Sequence, residues 1–202
     1  AAITPIQFCE KYCQYVDEGY TDVIHVPINR SGSSTYNNAV MAQGMLREER
    51  PEHHLNIHLL DPHTYSMVFG WYLCEMARKL QNGAELRHVI SEFETQMNKM
   101  EIILGPYSLK QMKKSGRISA AAAVMGELMG IRPIITLIDG KTRVESKVRG
   151  DDKVIPAIID LCKKRTEGVE DFDYMIGHTS IPQAAELEKA CRKAFGKAPL
   201  TT

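Results

Sequence analysis

Short apolar runs alternate with longer amphipathic stretches over the first hundred residues. Residues 5 to 18 carry Ile6, Cys9, Tyr12 and Cys13 at helical spacing and stop at Gly19, which predicts a helix. The run VIHVPI at 23 to 28 predicts a strand. Tyr36, Val40 and Leu46 mark a helix from about 34 to 48, and LNIHLL at 55 to 60 reads as a second buried strand ending at Asp61-Pro62. Val68, Tyr72, Leu73, Met76 and Leu80 give a strongly amphipathic helix closed by Asn82-Gly83, and a further helix follows from about 84 to 98. Helix, strand, helix, strand, helix, with strands that are apolar throughout rather than alternating, is the pattern of a parallel sheet covered by helices.

The rhythm changes near residue 100. EIILG is a strand, SLKQMKKSG at 108 to 116 a short helix, and SAAAAVMGELMG at 119 to 130 a helix apolar on nearly every side, hence a buried one. IRPIITLIDGKTRVESKVR reads as two strands around Asp139-Gly140, a strong hairpin signal, so antiparallel pairing enters here. A helix at 151 to 166 (Val154, Ile158, Cys162), a strand at DYMIGH (173 to 178) and a helix at 182 to 195 (Ala184, Leu187, Cys191) restore the α/β pattern before the chain ends at APLTT. The expected fold class is α/β with two domains. Residues 1–99 form a parallel-sheet domain, and residues 100–202 a second α/β domain with a mixed or antiparallel sheet.

Composition narrows the function. A chain of 202 residues with 44% hydrophobic and 25% charged residues can bury a core. No stretch reaches the roughly 20 apolar residues of a membrane span, and AAITPIQFCEKY lacks the basic start and apolar middle of a signal peptide, so a cytoplasmic protein is expected. The 25 basic and 25 acidic residues cancel, which excludes the electrostatic footprint of a nucleic-acid binder. Between Lys110 and Lys153, however, ten Lys/Arg face five Asp/Glu, either a solvated face or a surface for an acidic partner. Five cysteines without CxxC spacing argue against a disulfide framework. Cys9 and Cys13 lie one helical turn apart, but no His or further Cys completes a metal set, and no metal is expected.

The candidate chemistry lies in SGSSTYNNA at 31 to 39, directly after the first strand. A strand feeding a Ser/Gly turn and then a helix gathers hydroxyls and free N–H groups at the positive end of the helix dipole, beyond the carboxyl end of a parallel strand. One of Ser33, Ser34 and Thr35 would suffice as an N-cap; four hydroxyls in five residues exceed that need and point to an anion. The turn is neither a Walker A loop nor a GxSxG elbow. Of the histidines, His63 falls after the second strand and near the expected site, His178 ends DYMIGH, and His25, His53 and His54 are assigned no chemistry.

SGSSTYNNA, LLDPHTYSMVFG, LKQMKKSGRIS, GELMGIRPI and DGK, in this order, resemble the DegV family of bacterial fatty-acid-binding proteins along the entire chain. The resemblance implies a two-domain protein that is not an enzyme, needs no cofactor or metal, and holds one long-chain fatty acid between its domains. A separate fatty acid kinase would receive the carboxylate. It places Ser33 as the head-group ligand, with Thr35 and Tyr36 also matching and Arg117 of SGRIS close to the site; Ser34, from the same turn, and His63, from its position after the second strand, complete the expected ligand-binding residues. Arg149 in KVRGDDK, with Lys147, falls on the surface that would face the kinase. Asn29 and Arg30 depart from the small serines of the family pattern, and Ser34 replaces a glycine. Relatives begin earlier and continue later, so both ends of the usual length are expected to be missing. A monomer suits a carrier. The alternative is an acyl- or phosphoryl-transfer enzyme with Ser33 as nucleophile, for which His63 or His178 would have to serve as base.

Overall fold

The computed structural model describes residues 2–108, 114, 130–138, 140–179 and 181–202. These fall into two compact units, 1–100 with 138–140, and 101–137 with 141–202.

The first unit begins with helix α1 (Pro5–Asp17), which starts where Thr4 and Gln7 cap one another: the Thr4 hydroxyl accepts from the Gln7 N–H and the Gln7 side chain accepts from the Thr4 N–H. Strand β1 (Asp22–His25), helix α2 (Thr35–Glu49) and strand β2 (Asn56–Leu59) follow. The two strands are parallel, with Val23 opposite Ile57 and His25 opposite Leu59. Helices α3 (Met67–Gln81) and α4 (Leu86–Met97) complete the unit. The Glu85 carboxylate caps α4 by accepting from the N–H groups of Arg87 and His88, which hold its pKa below the ordinary carboxylate value.

Strand parity decides the layering. Val23, Ile57 and Leu59 face the cluster of Phe8, Cys9, Tyr12, Ala39, Ala42 and Leu46 from α1 and α2. Ile24 and Val26 face Met76, Val89, Phe93 and Met97 from α3 and α4. Successive side chains of a strand point to opposite faces, so both faces of the pair are covered and the strands must be apolar throughout. His25 sits on the α1 face, where its Nδ1 lies 2.6 Å from the Tyr12 hydroxyl and its ring meets Phe8 edge-on. Burial lowers its pKa, consistent with a neutral ring shared with the core. The small side chains of Ala39 and Ala42 let α2 approach closely. Ile6 (60% exposed) and Val40 (47%), expected on the buried faces, point outward instead.

In the second unit, β3 (Ile102–Leu104), β4 (Ile131–Ile138) and β5 (Lys141–Arg149) form a sheet in that order, with β3 antiparallel to β4. Gly140, between β4 and β5, has φ +71°, the left-handed conformation a tight hairpin requires. Thr136 is fully buried and donates to Glu145, which also accepts from Arg165 at 3.0 Å; Arg165 in turn lies 3.2 Å from Glu101. A single 3-10 turn (Asp151–Lys153) leads into α5 (Val154–Arg165), and α6 (Gln183–Phe195) follows. Ile155, Ile159, Ile176 and Cys191 form their shared core.

The expected strand at 173 to 178 is not formed. A strand needs a ladder, and here the backbone makes two such bonds, Ile176 N–H to Thr201 and Leu200 N–H to Tyr174. The APLTT end is thereby tied down although it forms no strand. The expected helices at 108 to 116 and 119 to 130 fall almost wholly, and Asp139 entirely, outside the described residues. No helix among the described residues is long and apolar enough to cross a membrane.

Leu46, 1% exposed between α1 and the sheet, should tolerate little. Leu46→Ala is expected to cost about 2 to 5 kcal/mol, whereas Val40→Ala on the outer face of the same helix should stay within about 0.5 kcal/mol, as read from urea unfolding midpoints.

Candidate functional site

The loops that leave β1 and β2 meet at the carboxyl end of the parallel pair, all within the first unit. Asn29 organises them. Its side chain is 1% exposed and its Oδ1 accepts from the Ser31 N–H at 2.7 Å and from the Ser31 hydroxyl at 2.6 Å. That is an Asx-type turn, in which the side chain stands in for a backbone carbonyl. The Asn29 N–H donates to Thr64 O at 3.2 Å, joining the first loop to the second. Asp61 strengthens the join: one carboxylate oxygen accepts from the N–H groups of Arg30 (3.4 Å) and His63 (3.0 Å), and the other lies 3.7 Å from Arg30 Nε. The Arg30 guanidinium lies 5.9 Å from the centre of the Tyr36 ring, while a Cβ on Gly32 would overlap the Tyr65 hydroxyl.

Beyond this turn, α2 begins. Ser34 takes the N-cap position but its hydroxyl makes no capping bond, so it does not serve as the expected cap. Ser33 supplies the local bond instead: its Oγ accepts from the Thr35 N–H at 3.2 Å and is paired with the Thr35 hydroxyl. The structure thus brings Ser33 and Thr35 side by side at the start of a 15-residue helix, with Ser34 exposed between them. Two hydroxyls and the first-turn N–H groups converging at a helix N-terminus form a donor-rich cradle suited to a carboxylate or another anion.

The second loop is strained. His63 and Ser66 have positive φ, 54° and 63°, and Ser66, with ψ −147°, occupies a region that glycine enters readily and other residues rarely do. Such strain persists only where surrounding contacts over-determine the backbone, and here the contacts to Asn29, Arg30 and Gly32 do so.

Arg117 lies outside the described residues. Lys147 and Arg149 are exposed on β5 two residues apart, hence on the same face of that strand, in the second unit. A surface hollow of about 870 Å3 lined by Gln43, Leu46, His53, His54 and His58 lies by β2 and the later turns of α2, away from the serine turn. Its His58 is held by Asp22 at 2.8 Å. Asn29, Arg30, Asp61 and Thr64 build the site although the serine turn by itself does not mark them as site-forming residues. The signal was present in Asn29 standing two residues before a serine, an Asx-turn spacing, and in Asp61-Pro62 closing the neighbouring strand.

A family model described as "Uncharacterised protein, DegV family" matches residues 1–201. The chain belongs to the DegV family. A DegV domain-containing protein of Clostridium perfringens is 29% identical over 161 residues, covering 79% of this chain and 55% of its own. The chain therefore spans about half the length of the curated DegV relatives it matches. The crystal structure of a stearic-acid-binding protein from Eubacterium ventriosum has a TM-score of 0.86 at 20% identity, covering all of this chain and 69% of its own. That of a fatty-acid-binding DegV protein from Streptococcus agalactiae has a TM-score of 0.79 at 25% identity, covering 96% and 67%. The α/β architecture expected from the sequence, with a parallel sheet and a separate antiparallel one, is the DegV fold.

Because Ser66 holds a backbone conformation that its side chain opposes, Ser66→Gly should stabilise the protein by about 1 kcal/mol in urea unfolding. A loss of stability would show that the Ser66 side chain makes contacts that outweigh the strain.

Proposed function

We propose that this chain binds one long-chain fatty acid, with the carboxylate held at the Ser33–Thr35 turn, and presents it to a separate fatty acid kinase rather than acting on it itself. The observation that carries the reading is the paired hydroxyls of Ser33 and Thr35 at the N-terminus of α2, in a DegV chain whose solved relatives include stearic-acid-binding and other fatty-acid-binding proteins. Ser34 and His63, from the same two loops, and Arg117 complete the proposed head-group set. Lys147 and Arg149, exposed on β5, are the proposed docking cations for the kinase, and a monomer is the proposed working state.

Magnitudes separate the two ends of the ligand. A dozen methylenes at about 0.8 kcal/mol each supply the larger part of the affinity, while a charge-assisted hydrogen bond supplies about 1.5 to 3 kcal/mol and fixes orientation. The serine turn therefore decides which end is presented and in which direction. For the transferase alternative, the described side-chain partner of Ser33 is the Thr35 hydroxyl, which is not a general base.

Ser33→Ala is expected to weaken fatty acid binding roughly 10- to 100-fold, measured by calorimetric titration, while the lost bond to the Thr35 N–H lowers stability in urea unfolding by about 1 kcal/mol. Unchanged affinity would remove Ser33 from the site.

A further inference from the structure

α1 and α2 carry a second cluster of chemistry at the far end from the serine turn. Cys9 and Cys13, one turn apart on α1, are joined by Glu49, the last residue of α2; one donor atom from each lies within 4.8 Å of the others. The Cys13 thiol donates to Glu49 at 3.7 Å. The sequence offered the cysteine pair without a third ligand, because Glu49 is 36 residues away and arrives only through the packing of α2 on α1. Along α2, Glu49 stands about 21 Å from Thr35, so the cluster is separate from the proposed fatty acid site.

We propose that Cys9, Cys13 and Glu49 bind a thiophilic divalent cation, zinc by the fit of the donor set, and that the bound ion clamps α1 to α2. Zn–S bonds of about 2.3 Å and Zn–O bonds of about 2.0 Å give a tetrahedron with edges of roughly 3.5 to 3.8 Å, and the Cys13–Glu49 separation of 3.7 Å already falls there. Two sulfurs and one carboxylate oxygen suit zinc and exclude calcium or magnesium, which take oxygen ligands. Three protein ligands leave the fourth position to water. Access is graded: Cys9 is buried, Cys13 half-buried and Glu49 exposed, so an ion would enter past Glu49. Binding releases the two thiol protons to solvent as both sulfurs become thiolate ligands.

Cobalt(II) added to the reduced, purified protein is the direct probe. One equivalent should bind, with a thiolate-to-cobalt charge-transfer band and the strong visible bands of a tetrahedral site, and zinc should displace it. Cys13→Ser should abolish the charge-transfer band, Glu49→Gln should weaken cobalt binding at least tenfold, and Cys74→Ser, on α3, should change nothing. Zinc should also raise the melting temperature of the wild type but not of Glu49→Gln, an exposed substitution that leaves the core intact. No band in the wild type, or a band that survives Cys13→Ser, would overturn the proposal.

Discussion

The buried amide of Asn29 is the interaction on which the carboxyl end of the parallel sheet depends. A polar atom of a side chain 1% exposed needs its hydrogen bonds met inside the protein, and the Asn29 Oδ1 has two, both from Ser31, by folding the 29–31 turn onto itself. Its backbone N–H then fixes the second loop through Thr64. With the two loops joined, the chain can enter α2 only along one path, and that path sets Ser33 and Thr35 against each other. The strain at His63 and Ser66 follows from the same constraint: the second loop conforms to the first.

The layering beneath has a simpler origin. Two parallel strands only four residues long have no face to spare for water, so α1 and α2 cover one side and α3 and α4 the other. Parallel strands need a crossover, and α2 is that crossover. Its first turn borders the serine cradle and its last residue reaches the cysteine pair on α1. One helix therefore positions two chemically distinct clusters, a pair of hydroxyls at its N-terminus and a thiol–carboxylate group at its end.

Among the described residues, period and punctuation made the helices and most strands legible in the sequence. Gly19, Asn82-Gly83 and Gly140 stand where elements end or the chain turns, and the apolar strands belong to a sheet covered on both faces. What was not legible depended on partners. Val40 fits a helical period yet faces outward, because the α1 contact is made by Ala39 and Ala42, small residues that carry little hydrophobic signal. DYMIGH has the composition of a strand but gains only two ladder bonds. The serine turn was visible as an excess of hydroxyls; which hydroxyl bonds to which, and the buried Asn29 that arranges them, depended on a loop more than thirty residues away.

Fatty acid binding at the serine turn is tested most directly by mass spectrometry of an organic extract from the purified protein. A long-chain fatty acid is expected at about one equivalent per chain, either carried through purification or taken up when the protein is offered a mixture of such acids. An extract with no fatty acid before or after that exposure would contradict it.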